Sequence, residues 1–125
     1  MLTTLLFLAA TATTVPVPAA PQADYATAKA MADQDEASLP KLGLDTLRTA
    51  QSGVLERATQ ACKTDEPIKG FTVVVELDAK GKPVNHWRDA DTKLAQCMED
   101  KLSRQVFYVP PRAPFHVSFE VTFTK

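Results

Sequence analysis

The sequence contains few of the residues from which catalytic and cofactor sites are built. It has four glycines, two histidines and two cysteines in 125 residues. The glycines are not clustered into a phosphate-binding loop, and no Gly-x-Ser-x-Gly elbow presents a serine nucleophile. His86 and His116 have no second metal-ligand type at a usable spacing. These absences argue against an enzyme, a metal site or a cofactor, and they imply no small-molecule substrate.

The sequence also lacks an excess of positive or negative charge. The formal net charge is -1 and the sequence pI is about 6.1. The Lys and Arg residues are scattered along the chain, so no basic patch is predicted for nucleic acid or an anionic membrane. Asp89 and Asp91 flank Ala90 just before a predicted helix, and we interpret them as turn and capping residues rather than a cation site.

The first twenty residues carry no charged side chain and begin with an apolar run. Small residues and prolines follow, which is typical of a secretory signal peptide. We predict a signal peptide over residues 1–19, with cleavage after Ala19, and hence a periplasmic or secreted protein. The alternative is an uncleaved membrane anchor, the only case that places the chain at a membrane. Threonines and Pro16 keep the apolar run short of the roughly 20 residues that a spanning helix needs.

The two cysteines, Cys62 and Cys97, fit no Cys-x-x-Cys metal or redox pattern. In an exported domain, an even number of cysteines favours a disulfide. The alternative is a pair of buried thiols that pack as small hydrophobic groups.

Residues 19–40 contain few large apolar side chains, namely Tyr25, Met31 and Leu39, and Pro40 and Gly43 mark the end of this segment. An isolated Ala-rich helix is marginal without packing, so we predict a flexible leader over residues 20–43 and a folded domain over residues 44–125.

Hydrophobic periodicity divides this domain into five elements. Apolar residues at helical spacing predict a helix over residues 45–62, with Asp45 as its N-cap, and a second helix after Asp91. Alternation predicts a hairpin over residues 70–77 and 84–88 and a final strand over residues 115–123. The predicted fold is therefore α+β, in the order α-β-β-α-β.

The helix between the second and third strands fixes the sheet order. It returns the chain along the sheet, so the last strand runs parallel to the second and antiparallel to the first. We predict a three-stranded antiparallel/mixed sheet in the order 2-1-3, covered on one face by two helices in two layers. This order leaves the strand over residues 115–123 at an edge of the sheet.

The polar residues of that edge strand form the candidate partner-binding surface. They are His116, Ser118, Glu120 and Thr122. Trp87 and Arg88 are added because both residue types are enriched at interface hot spots. The alternative for Trp87 is a core position beneath the second helix.

Several motifs resemble the TonB C-terminal domain family, particularly its Cys-bearing AgmX-like variety. The segment from Gly70 to Val84 matches the family's Gly-x-Val strand and Asp-x-x-Gly turn, and the match continues at Cys97, Pro110 and Pro111. TonB proteins are anchored in the inner membrane and add a receptor segment to the edge of their sheet. Because this sequence shows no charged anchor and no long spacer, the resemblance implies a stand-alone periplasmic form.

We therefore expect a non-enzymatic exported protein-interaction domain. It would bind a segment of a cell-envelope partner, or a second copy of itself as a homodimer, by strand addition at residues 115–123. One alternative is a membrane-anchored TonB-like energy transducer that keeps its N-terminal segment. Another is a small periplasmic enzyme inhibitor or ligand-binding protein.

Overall fold

A three-stranded sheet lies between helices on both of its faces. The computed structural model describes residues 24–123, so the predicted signal peptide and its cleavage site lie outside the described residues. The elements are α1 (Tyr25–Ala37), α2 (Lys41–Ala61), β1 (Phe71–Leu77), β2 (Pro83–Arg88), α3 (Lys93–Leu102) and β3 (Phe115–Val121).

The sheet has the predicted order, with β1 between β2 and β3. Both neighbours are antiparallel to β1, so β2 and β3 run parallel to each other. Val74 in the central strand is fully buried, as expected for a strand that is covered on both faces. The α+β class and the strand order are therefore confirmed.

The main core lies on the face of the sheet that α2 and α3 cover. The inward row of β1 and β3 meets the apolar stripes of the two helices, as the alternation of these strands predicts. The largest fully buried side chains of this core are Leu47, Leu77, Met98, Leu102, Phe115 and Phe119. The two-helix layer predicted from the sequence is present on this face.

The prediction of a flexible leader is wrong for Tyr25–Ala37, which forms α1 and packs on the second face of the sheet. Ala28 and Ala32, four residues apart, are fully buried against Val74. Small side chains let the helix approach the sheet closely, so large apolar residues are not required. The sheet consequently has helices on both faces, one layer more than predicted.

Two predicted helix starts also differ from the structure. Helix α2 begins at Lys41, after Pro40 in the N-cap position, so Asp45 lies inside the helix. Helix α3 is capped by Thr92, whose side chain accepts a hydrogen bond from the Ala95 N–H at 3.1 Å. Thr92 is the cap because the residue directly before a helix is the one whose side chain reaches the third helical amide. Asp91, one position earlier, pairs with Arg88 instead.

The predicted disulfide is present. Cys62, at the C-terminal end of α2, is bonded to Cys97 in α3, with a Cα–Cα distance of 5.8 Å. The bond joins the two helices that cover the main core. It supports an oxidising compartment, where such bonds persist.

Candidate functional site

The outer edge of β3 is the candidate site, and helix side chains bind its main chain. The His116 N–H donates to Asp35 Oδ2 of α1 at 2.8 Å. Gln51 Nε2 of α2 donates to the main-chain oxygen of Ser118, also at 2.8 Å. In an antiparallel pair, alternate residues point both main-chain groups away from the neighbouring strand. The main-chain groups of His116, Ser118 and Glu120 therefore point outward. Asp35 and Gln51 bind two of these groups, the His116 N–H and the Ser118 oxygen.

Asp35 is held in place by an arginine. Arg112 Nη2 donates to Asp35 Oδ1 at 2.9 Å and to Ser38 Oγ at 2.8 Å. The Arg112 guanidinium also lies 5.2 Å from the centre of the Phe115 ring. The C-terminal end of α1 is therefore fixed to the start of β3 through one carboxylate and one guanidinium.

Glu36 joins α1 to both α2 and β3. Its carboxylate accepts from Ser118 Oγ at 3.1 Å and from Arg48 Nη1 at 2.8 Å. Arg48 Nη1 also donates to Gln51 Oε1 at 2.7 Å. Burial raises the pKa of Glu36, and the nearby Arg48 charge and these hydrogen bonds only partly oppose the rise. A network of side chains thus spans the edge of β3 from α1 to α2.

His116 lies between two carboxylates on the α1 face of the sheet. Its Nδ1 is 3.5 Å from Asp35 Oδ2, and its Nε2 is 3.3 Å from Glu76 Oε1. The side chain is only 4% exposed, and the ring centre is 5.8 Å from that of Trp87. The local sequence gave no sign of this arrangement, because Asp35 and Glu76 are distant in the chain.

A cleft of about 310 Å³ opens between α1 and α2 along the second half of β3. Its walls are mostly polar, with an apolar patch from Leu55 and Phe119. The lining residues are Asp33, Glu36, Arg48, Gln51, Ser52, Leu55, Ser118, Phe119 and Glu120.

The structure separates the predicted site residues into three groups. His116 and Ser118 are buried beneath α1, together with the partly buried Trp87, which packs on the α1 face rather than beneath the second predicted helix. Glu120 pairs with Lys29 at 3.2 Å but keeps a 64% exposed side chain, and Thr122 is also exposed. Arg88 lies apart from the row and pairs with Glu99 of α3 at 2.7 Å.

The helix residues that bind β3 were missed from the sequence, although one signal was available. Gln51 occupies the same stripe of α2 as Leu47, Val54 and Ala58, at positions where apolar residues are the rule. A polar side chain on a buried stripe needs a hydrogen-bond partner. Its partner is the main-chain oxygen of β3.

The opposite edge of the sheet, β2, differs from β3 in regularity. It has six residues, begins with Pro83 and has a register shift where it pairs with Glu76 and Leu77. By contrast, β3 pairs with β1 over seven consecutive residues without a register shift. Proline, bulges and short length are features by which natural sheets discourage further pairing. The β2 edge is protected from further pairing by such features in its own sequence, whereas the β3 edge is protected by contacts from the neighbouring helices.

Within residues 24–123, no group of three or more His, Cys, Asp or Glu side chains could hold a metal ion. No helix of this same region is long and apolar enough to cross a bilayer. Comparison of the chain with protein-family models, curated proteins and solved structures finds no match. The TonB-like resemblance therefore stays a prediction from the sequence motifs.

Proposed function

We propose that this chain is a non-enzymatic, exported protein-interaction domain that binds an extended segment by strand addition at β3. The segment belongs to a cell-envelope protein or to a second copy of the chain. One observation carries the proposal: main-chain groups of a regular edge strand are satisfied by side chains, at His116 and Ser118, rather than by another strand.

These side-chain contacts have the chemistry of a neighbouring strand. The Asp35 carboxylate takes the place of a strand carbonyl, and the Gln51 amide takes the place of a strand N–H. An incoming segment that replaces them exchanges one hydrogen bond for another, and it adds bonds at Glu120 beyond them. Main-chain bonding of this kind supplies affinity in strand addition, while side-chain pockets supply specificity. The cleft beside Ser118 and Phe119 is a candidate for such a pocket.

The regularity of β3 favours it over β2 as the binding edge. A partner strand needs an unbroken run of outward main-chain groups, and the bulge and proline of β2 interrupt such a run. The disulfide between α2 and α3 supports placement of the domain in an oxidising compartment. The TonB-like motifs point to the same mode of binding.

Matched proline substitutions at the two edges test this proposal. A photo-reactive residue at the exposed Thr122 position captures neighbours in intact cells, and mass spectrometry identifies them. Glu120→Pro removes one outward N–H from β3 without breaking the pairing with β1. We expect this variant to lose at least about tenfold in captured product, because proline cannot donate to an added strand.

The control is His86→Pro, which removes an outward N–H from β2 by the same logic and should leave the capture unchanged. Circular dichroism and thermal melting of both variants verify that they fold. Equal losses in the two variants, or no change in either, would contradict binding at β3. A captured product of twice the chain mass identifies self-association. Separately, the N-terminal sequence of the exported protein distinguishes a cleaved protein from a membrane-anchored transducer.

A further inference from the structure

Helix α1 covers the edge that the proposed function requires to be open, and its attachment differs from that of the other helices. Its buried apolar contacts come mainly from the methyl groups of Ala28 and Ala32 against Val74, with Tyr25 and Trp87 partly buried beside them. The large side chains of the main core lie on the other face of the sheet. Regions with few buried apolar contacts open at lower free energy than the core of a protein.

Charged contacts supply most of the remaining attachment. Asp35 binds the His116 N–H and Arg112, Glu36 binds Ser118 and Arg48, and Lys29 pairs with Glu120 at 3.2 Å. Each contact joins α1 to β3, to α2 or to the segment that leads into β3. They act along the whole helix, so loss of one weakens the attachment of the others.

The sequence of α1 also disfavours the helix when it leaves the sheet. It has thirteen residues, and isolated helices shorter than about 12–15 residues are marginal in water. Asp33, Asp35 and Glu36 lie near its C-terminal end, where the helix dipole disfavours negative charge, and its last turn has no basic residue. Undocking and loss of helical structure should therefore occur together.

The connection to α2 defines where such an opening stops. Ser38 and Leu39 join the two helices ahead of Pro40, and Leu39 packs against the main core. The segment before Ser38 can therefore detach from the sheet while α2 stays in place, held by Gln51 on β3 and by the disulfide of Cys62.

We propose that α1 is a releasable latch over β3: it undocks and unfolds as a unit while the sheet, α2 and α3 remain folded. Release frees the His116 N–H and the polar face of the sheet, which makes the β3 edge available to an incoming strand. This regulatory role rests on the function proposed for β3, whereas the opening itself can be measured without a partner.

Amide hydrogen exchange of the full chain tests the latch. We expect the α1 amides and the His116 amide to exchange together, at least about tenfold faster than the β1 amides, since local opening requires less free energy than global unfolding. Asp35→Ala should accelerate this whole group by at least about tenfold. Asp33→Ala makes the same substitution on the same helix, but among the described residues Asp33 pairs with Lys29, within α1. We expect a change of less than about threefold for this control.

The latch is refuted if the α1 amides of the unmodified chain are as protected as those of β1, because the helix would then open only in global unfolding. It is also refuted if Asp35→Ala accelerates only the His116 amide. These results are separable from the proposed function. If α1 opens as expected but Glu120→Pro leaves cellular capture intact, strand addition at β3 fails while the latch stands.

Discussion

The Glu36 carboxylate lies where α1, α2 and β3 meet. Burial raises its pKa although Arg48 and Ser118 both contact it. Desolvation of the charged form therefore outweighs the favourable contacts, which is a common outcome for buried ion pairs. Ionisation of Glu36 is consequently less favoured in the folded chain than in the unfolded chain, although its carboxylate still joins α1 to Arg48 and Ser118.

A pH dependence follows from the direction of this shift. Because the folded-state pKa of Glu36 is raised, the folded chain binds this proton more tightly than the unfolded chain. The contribution to stability is complete below the unfolded pKa of about 4.3 and is lost as the pH rises through the folded-state pKa. We therefore expect the free energy of unfolding of the unmodified chain to rise relative to Glu36→Gln as the pH falls from neutral.

Urea unfolding of the two proteins across this range measures the difference directly. Asp33→Asn is the control, because it replaces a more exposed carboxylate of the same helix with its amide. A difference between the unmodified chain and Glu36→Gln that stays constant with pH would show that Glu36 titrates alike in both states.

Two glycines give opposite predictions for one substitution. Gly81 has φ 81° in the turn before β2, and an added Cβ would lie 2.3 Å from the main-chain oxygen of Tyr108. Gly81→Ala should lower the free energy of unfolding by at least about 2 kcal/mol, because the left-handed conformation and the clash are both unfavourable. Gly53→Ala in α2 meets only Arg57 Nη1 at 3.6 Å, an ordinary contact. It should raise stability by about 0.5–1 kcal/mol.

Denaturant midpoints of the two alanine variants measure both effects. Opposite signs are expected because Gly81 combines a left-handed backbone with a clash, whereas Gly53 has neither. Destabilisation of similar size in both variants would contradict this explanation.

At the scale of the elements, the sequence predicted what strong periodicity encodes. The alternation in β1 and β3 and the stripe of α3 gave these elements, the strand order and the main core, because each pattern buries large side chains on one face. The ends of α2 and α3 were less accurate, since capping depends on which nearby side chain reaches the first free amides. Asp45 and Asp91 were plausible caps, but Pro40 and Thr92 occupy those positions.

Helix α1 could not be predicted in the same way. Its buried positions are alanines, which carry a weak apolar signal, and its polar contacts involve residues about eighty positions away, such as Asp35 with His116. Local sequence patterns indicate the helix propensity of this segment, but they do not indicate that it packs on the sheet. The same limit applies to the candidate site: the polar row of β3 was identified, but the helix that covers its first half was not.

The whole molecule has two unlike interfaces on one sheet. The face toward α2 and α3 holds the large apolar core and is crossed by the disulfide between these helices. The face toward α1 is mostly polar, with small apolar contacts. Buried apolar contacts are thus concentrated on one side of the sheet, and this is the asymmetry that the proposed opening of α1 requires.

The disulfide should account for a large share of that stability. Cys62 and Cys97 are 35 residues apart, and a crosslink over a loop of this length stabilises a fold by about 4 kcal/mol in the chain-entropy model. A small domain has a total stability of about 5–15 kcal/mol.

We expect reduction to lower the urea midpoint of the unmodified chain markedly, and Cys62→Ala/Cys97→Ala to lower it by a similar amount in the absence of reductant. The double variant is also the control, because reductant should leave its midpoint unchanged. A midpoint of the unmodified chain that is insensitive to reductant, with mass spectrometry verifying two free thiols, would show that packing of the main core holds α2 and α3 together without the crosslink.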